Sequence, residues 1–124
     1  YNLSMNINKY KMVGVINIAF SLLFIPIISI LNTMIPRVNK MYKDLEMTPG
    51  PNYTPAFVAF FILIVISVFN IVTGIKCFKE SPEKDKNFER GVNFAIFTLI
   101  FDVILIVIIS STTIAPIYQV AGQI

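Results

Sequence analysis

The sequence contains no histidine and no tryptophan, and its single cysteine is Cys77. Without histidine, the chain cannot build a His-based catalytic triad, and a zinc site within it is excluded as well. One cysteine cannot form an internal disulfide. Charged residues make up only 14% of the 124 residues, against roughly 25% in soluble domains. No nucleophile–base pair or metal-ligating cluster is visible, so the sequence predicts neither an enzyme nor a cofactor.

What the sequence has in abundance is apolar side chains, which account for 56% of its residues. Three long runs carry most of them, at about 12–35, 55–75 and 91–114. A membrane span needs about 20 mostly apolar residues. The first run is too long for the core of a signal peptide and predicts a retained anchor. The sequence therefore predicts an all-α, integral membrane bundle of three transmembrane helices, forming a single membrane domain over 1–124.

The basic residues predict how this bundle is oriented, because they concentrate on the cytoplasmic side of membrane proteins. Lys9 and Lys11 precede the first run. The second run is followed by Lys76, Lys79, Lys84, Lys86 and Arg90, whereas the loop after the first run carries only Arg37, Lys40 and Lys43. We expect the N-terminus and the 76–90 loop in the cytoplasm, and the 36–54 loop and the C-terminus on the outer side. The basic residues form no stripe with interleaved aromatics, so nucleic acid is not an expected partner.

The polar segment between the first two runs has a helical pattern of its own. Apolar residues recur there at i, i+3, i+4 and i+7, at Val38, Met41, Tyr42 and Leu45. This spacing predicts a short interfacial amphipathic helix over about 36–47, between spans one and two. A connection between spans is one interpretation of this helix, and a docking surface for a partner is the other. "NYT" at 52–54 matches the N-glycosylation pattern, but its position at the start of span two favours a turn and helix start.

The same segment resembles a loop in a known family. A proline, an aromatic six residues later, a nearby leucine and a P-x-x-T before the next span are similar to the loop of the inner-membrane platform protein of type II secretion and type IV pilus machines. The matching residues are Pro36, Tyr42, Leu45, Pro51 and Thr54. Over about twenty residues the resemblance implies a similar hairpin and orientation. This chain has Glu46 where that family usually has glycine, its later proline is offset by one, and the large cytoplasmic domains of that family are not part of the 124 residues.

Asp102 is the one acidic residue inside a run, near the middle of the third. An ionised carboxylate at the bilayer centre costs about 2.5–3.5 kcal/mol on insertion scales. Three interpretations compete: a protonated Asp that is hydrogen-bonded across helices, a carboxylate paired with a basic residue of another subunit, and an acid that translocates protons or cations. No Lys or Arg inside the runs is available as a partner within this chain.

Asparagines provide the other polar candidates for contacts inside the membrane. Asn17 and Asn70 lie at similar depths in spans one and two, so they are predicted to face each other, and Asn93 lies near the same interface. Pro26 falls within the first run and predicts a helix kink. Cys77, at the predicted membrane boundary, is a possible lipidation site.

Three spans bury few faces against one another, so the sequence predicts an accessory or scaffold subunit of a membrane complex, or a homo-oligomer. The expected partners are the lipid bilayer and other membrane subunits or further copies of the chain. The alternative from a different class is a small proton- or cation-conducting oligomer that uses Asp102.

Overall fold

The computed structural model describes residues 2–122, with side chains from residue 9 onward. Four helices follow one another: α1 (Asn2–Ser21), α2 (Phe24–Asp44), α3 (Thr54–Phe78) and α4 (Lys84–Ala121). Helix accounts for 85% of the chain, and the described residues contain no strand. The fold is therefore all-α, as predicted from the sequence.

Three helical stretches are long and apolar enough to cross a membrane: Lys9–Asp44, Thr54–Phe78 and Lys84–Ala121. They contain 36, 25 and 38 residues, compared with the roughly 20 that a span requires. The predicted spans lie inside these stretches, although the helices extend further at their ends. These findings support a multi-pass integral membrane protein. Below, the end of the bundle that carries loop 79–83 is called the lysine-rich end, and the end that carries loop 45–53 is called the proline-rich end.

The first stretch is interrupted where α1 meets α2. Leu22 and Leu23 adopt a turn, and the amide of Ile25 donates to the carbonyl of Leu22 at 3.1 Å. In a continuous α-helix that carbonyl would accept from residue 26, but Pro26 has no N–H and its ring crowds the carbonyl four residues earlier. The interruption one turn before Pro26 follows from this chemistry.

Close contact between helices at the lysine-rich end depends on glycines. A Cβ atom added at Gly74 of α3 would lie 2.9 Å from the carbonyl oxygen of Gly14 on α1. One added at Gly91 of α4 would lie 2.7 Å from Val13 Cγ1 and 2.9 Å from Cys77 Sγ. The absence of side chains lets the backbones approach, which is how many membrane helices associate. Thus α3 packs along both α1 and α4.

The apolar core lies nearer the proline-rich end. It comprises Leu31, Ala59, Leu63, Ile66, Leu105 and Ile109, drawn from α2, α3 and α4. On α3 the buried positions recur every three or four residues, the spacing of one helix face. They are Ala56, Ala59, Leu63, Ile66, Ser67, Asn70, Gly74 and Cys77. Large apolar side chains cover the remaining faces of α3 and α4, as contact with lipid requires.

The predicted interfacial helix over 36–47 is not a separate element. Residues 36–44 continue α2, and Pro36 lies within the helix. Val38 and Tyr42 are buried with Tyr53 and Val120, whereas Met41 and Leu45 are exposed. The segment is an amphipathic helix, but packing against the end of α4 buries Val38 and Tyr42 within the protein. The segment therefore extends the bundle rather than lying flat on the membrane surface.

The end of α2 is closed by a left-handed residue. Glu46 has φ +53°, the amide of Met47 donates to the Tyr42 carbonyl at 2.9 Å, and the amide of Glu46 donates to the Lys43 carbonyl at 3.1 Å. This is the Schellman pattern, in which glycine usually occupies the left-handed position. Met47 packs on the cluster that contains Tyr42, which supplies the apolar contact typical of that motif.

Candidate functional site

Asp102 lies on the inward face of α4, and its side chain is only 3% exposed. Thr98, four residues earlier, and Leu105, three residues later, are buried on the same face. Neither carboxyl oxygen has a hydrogen-bond partner among the described residues. The structure thus places Asp102 inside its own bundle. A basic residue of a second subunit would reach it only if the helices separated.

Asn70 is fully buried on α3 and is bonded to α4. Its Oδ1 accepts a hydrogen bond from the Thr98 hydroxyl at 3.1 Å, while its Nδ2 has no partner within the described part of the chain. Thr98 lies one turn from Asp102 toward the lysine-rich end, so this bond is about one helical turn away from the carboxyl on that side. Asn70 and Thr98 therefore fix the register of α3 against α4 beside Asp102.

Asn17 is bonded to α4 in a different place. Its Nδ2 donates to the carbonyls of Val13, at 3.0 Å, and Gly91, at 3.1 Å. The side chain is fully buried, and its Oδ1 has no partner. Asn17 and Asn70 thus each bond to α4 and not to one another. Asn93 is exposed on another face of α4, so the structure does not bring it to this group.

Three hydroxyl side chains are also buried near Asn17, Asn70 and Asp102, and they were not predicted from the sequence. Ser21, Ser67 and Thr98 are at most 3% exposed. The signal that identifies them is helical spacing: each lies three or four residues from a polar residue already noted, Asn17, Asn70 or Asp102. Residues so spaced share a helix face, which predicts a common inward direction.

The thiol of Cys77 is also directed inward. It is buried, and its Sγ lies 3.6 Å from the Asn87 carbonyl on α4. The predicted lipidation would require this thiol to turn away from α4. Among the described residues, no group of three or more His, Cys, Asp or Glu side chains is placed to hold a metal ion.

The proline-rich end carries an open cleft of about 920 Å³ between loop 45–53 and the last turns of α4. Tyr42 forms part of its wall, and the Tyr42 hydroxyl is shared with α4, within 3.3 Å of the Pro116 carbonyl and in contact with Gln119 Oε1. These contacts hold the end of α2 against α4. The side chain of Tyr42 therefore stabilises the fold, whereas Met41 and Leu45 remain available on the surface.

Comparison with protein-family models, with curated proteins and with solved structures finds no match to this chain.

Proposed function

We propose that this chain is an accessory or scaffold subunit of a membrane complex, or a homo-oligomer, embedded through its three spans. The basic residues support an orientation with the lysine-rich end in the cytoplasm. The similarity of the 36–54 segment to the platform-protein loop supports an outward hairpin, since the left-handed backbone at Glu46 suits the glycine usual in that family.

The observation that carries this proposal is a row of four phenylalanines on α3 and α4, of which three lie on the outside and Phe94 packs partly against the apolar core. The ring centroids of Phe97 and Phe101 are 4.2 Å apart, those of Phe94 and Phe97 are 5.6 Å apart, and those of Phe69 and Phe94 are 6.5 Å apart. We call this row the phenylalanine ladder. Phe69 is 58% exposed, and Phe97 and Phe101 are each 41% exposed.

Ordered aromatic rings are suited to binding another protein. Aromatic residues, phenylalanine among them, are enriched at the cores of protein interfaces, and side chains packed against one another before binding lose less entropy when a partner arrives. The phenylalanine ladder therefore supports a face on which a neighbouring membrane helix packs.

Native mass spectrometry of the chain, purified in mild detergent from its own membrane, tests this role. We expect a complex with other subunits or with further copies, and the Phe97→Ala/Phe101→Ala double variant should weaken it at least about tenfold, since 1.4 kcal/mol suffices for that change. Phe61→Ala is the matched control, because Phe61 is 66% exposed on α3 and outside the ladder. A monomer in the wild type, or equal loss in both variants, would contradict the proposal.

A second candidate function is supported by a separate observation. The Asp102 carboxyl is buried in the bundle without a partner, and an intramembrane acid of this kind commonly marks a pathway for protons or cations. A small conducting oligomer should lose ion flux in liposomes on Asp102→Asn while its assembled mass stays unchanged. Flux equal to that of the wild type would remove Asp102 from any pathway.

A further inference from the structure

Two serines lie at nearly the same depth on α1 and α3. These helices run antiparallel and meet where an added Cβ at Gly14 would lie 3.0 Å from the Gly74 carbonyl oxygen. Ser21 is seven residues from Gly14, and Ser67 is seven residues from Gly74, both toward the proline-rich end. At 1.5 Å per residue each serine lies about 10 Å beyond the glycine contact. Ser21 and Ser67 therefore share a level to within about one helical turn.

Asp102 lies at this level as well. The hydrogen bond from Thr98 to Asn70 fixes α3 against α4. Moving one turn toward the proline-rich end leads to Ser67 along α3 and to Asp102 along α4. Exposure is 0% for Ser21 and 3% for each of Ser67 and Asp102, so all three side chains face the interior. We call these three residues, one from each span, the Asp102 layer.

The hydroxyl groups of Ser21, Ser67 and Thr98 already donate their protons in hydrogen bonds. Ser21 donates to the Ile18 carbonyl at 2.5 Å, and Ser67 donates to the Leu63 carbonyl at 2.8 Å. Thr98 donates to Asn70. The hydroxyl oxygens keep lone pairs, and both carboxyl oxygens of Asp102 lack partners. The layer is therefore rich in acceptors. Asn70 Nδ2, a buried donor close to it, has no hydrogen-bond partner among the described residues and so forms no bond with the carboxyl.

The helix interruption lies beside this layer. α1 ends at Ser21, and α2 begins at Phe24. In transporters, coupling ions are held near breaks in spanning helices close to the bilayer midplane. In this chain the carbonyls of Ala19, Phe20 and Leu22 accept hydrogen bonds from the amides of Leu22, Leu23 and Ile25, so the break marks the level of Asp102 while the candidate ligands are the side-chain oxygens.

From this arrangement we propose that the Asp102 layer binds one Na⁺ within a single chain. Carboxylate and hydroxyl oxygens are hard ligands suited to a hard cation. One carboxylate neutralises one monovalent ion, whereas a divalent ion would leave a net charge buried in the membrane, which is costly. This inference deepens the second candidate function by naming its ion, but it concerns binding and not conduction.

Thermal unfolding of the full chain in detergent tests the site. Unfolding is monitored through the reaction of a thiol-specific dye with Cys77, which is buried in the folded protein. At pH 8, NaCl replaces choline chloride at constant ionic strength. A ligand that binds only the folded state raises the unfolding midpoint with concentration. We expect a Na⁺-dependent rise that is absent in Asp102→Asn.

A second pair of variants keeps the test decisive if Asp102→Asn fails to fold. Ser67→Ala should weaken the apparent Na⁺ affinity about tenfold, the effect of losing about 1.4 kcal/mol. Ser110→Ala, at an exposed serine of α4, should leave the affinity unchanged. Equal midpoints in Na⁺ and choline, or a Na⁺ response that survives in Asp102→Asn, would overturn the inference.

Other outcomes separate this inference from the function on which it rests. A midpoint that rises only as the pH falls, without any Na⁺ response, would show that the carboxyl takes a proton and would overturn the Na⁺ site. Proton conduction would remain open in that case. Conversely, a Na⁺ response in a chain that gives no ion flux in liposomes would support the site and exclude conduction.

Discussion

Replacing Gly74 with valine should strongly destabilise the bundle. A Cβ at Gly74 would meet the backbone oxygen of Gly14 at 2.9 Å and Ile18 Cγ1 at 2.7 Å, whereas ordinary contact begins at about 3.4 Å. A side chain can rotate out of the way, but a helix carbonyl cannot. α1 and α3 would have to separate by about 0.5 Å at this point, and a radial gap of that size forfeits about a quarter of each dispersion contact.

The expected cost follows from other overpacked interiors, where added methyl groups lower the free energy of unfolding by about 1–3 kcal/mol. Valine is only a few tenths of a kcal/mol better than glycine as a helix former, so its propensity does not reverse the sign. Unfolding in mixed micelles with increasing SDS, followed through Cys77 labelling, measures the change. Gly50→Val is the control, because a Cβ at Gly50 has no neighbour within 4 Å.

The result that refutes this reasoning is a Gly74→Val variant as stable as Gly50→Val. It would mean that α1 and α3 do not touch through their glycines. The conclusion that Ser21 and Ser67 lie at the same depth would then be unsupported, because their depths are counted from the contact between Gly14 and Gly74.

Three further substitutions test other contacts by the same SDS assay. Glu46→Gly should raise the free energy of unfolding by about 1 kcal/mol, because it removes the penalty of a left-handed non-glycine residue; a loss of stability would contradict the Schellman ending of α2. Tyr42→Phe should cost about 1 kcal/mol for its lost hydroxyl contacts, whereas Tyr118→Phe, at a side chain that is 74% exposed, should have no effect. Asn17→Ala should cost about 0.6 kcal/mol or more, since it removes a hydrogen bond between helices; unchanged stability would show that its bond to the Gly91 carbonyl contributes nothing.

The membrane spans could be predicted from the sequence because their signal is local. Runs such as 55–75 are uncharged and long enough to cross a bilayer, and in hydrocarbon the backbone must satisfy its own hydrogen bonds. The position of Pro26 likewise indicated where a helix would be disturbed, and the interruption lies one turn before it, at Leu22 and Leu23. Each of these inferences needs only the residues of one segment.

Which way a side chain faces depends instead on the neighbouring helices. The spacing of Val38 and Tyr42 indicates one apolar face, but only the far end of α4, more than seventy residues later, determines that this face is covered by protein. The partner of Asn17 likewise depends on the neighbouring helices: its side chain donates to the Gly91 carbonyl of α4 and not to Asn70 on α3. Sequence periodicity therefore identified Val38 and Tyr42 as one apolar side, but it did not show that Met41 and Leu45 stay exposed or which helices cover the buried residues.

The position of Asp102 determines which of its proposed roles the structure favours. If its carboxyl lay on an outer face, a cation of another subunit could neutralise it, and it would serve assembly. Inside the bundle and among hydroxyl oxygens whose protons are used, the carboxyl is placed to be neutralised by a proton or by the small cation proposed above. The proposed assembly instead involves the outer surface, where the phenylalanine ladder lies. The two proposals are separable: Asp102→Asn should abolish Na⁺ binding and leave the assembled mass unchanged, whereas Phe97→Ala/Phe101→Ala should weaken association at least about tenfold and leave Na⁺ binding unchanged.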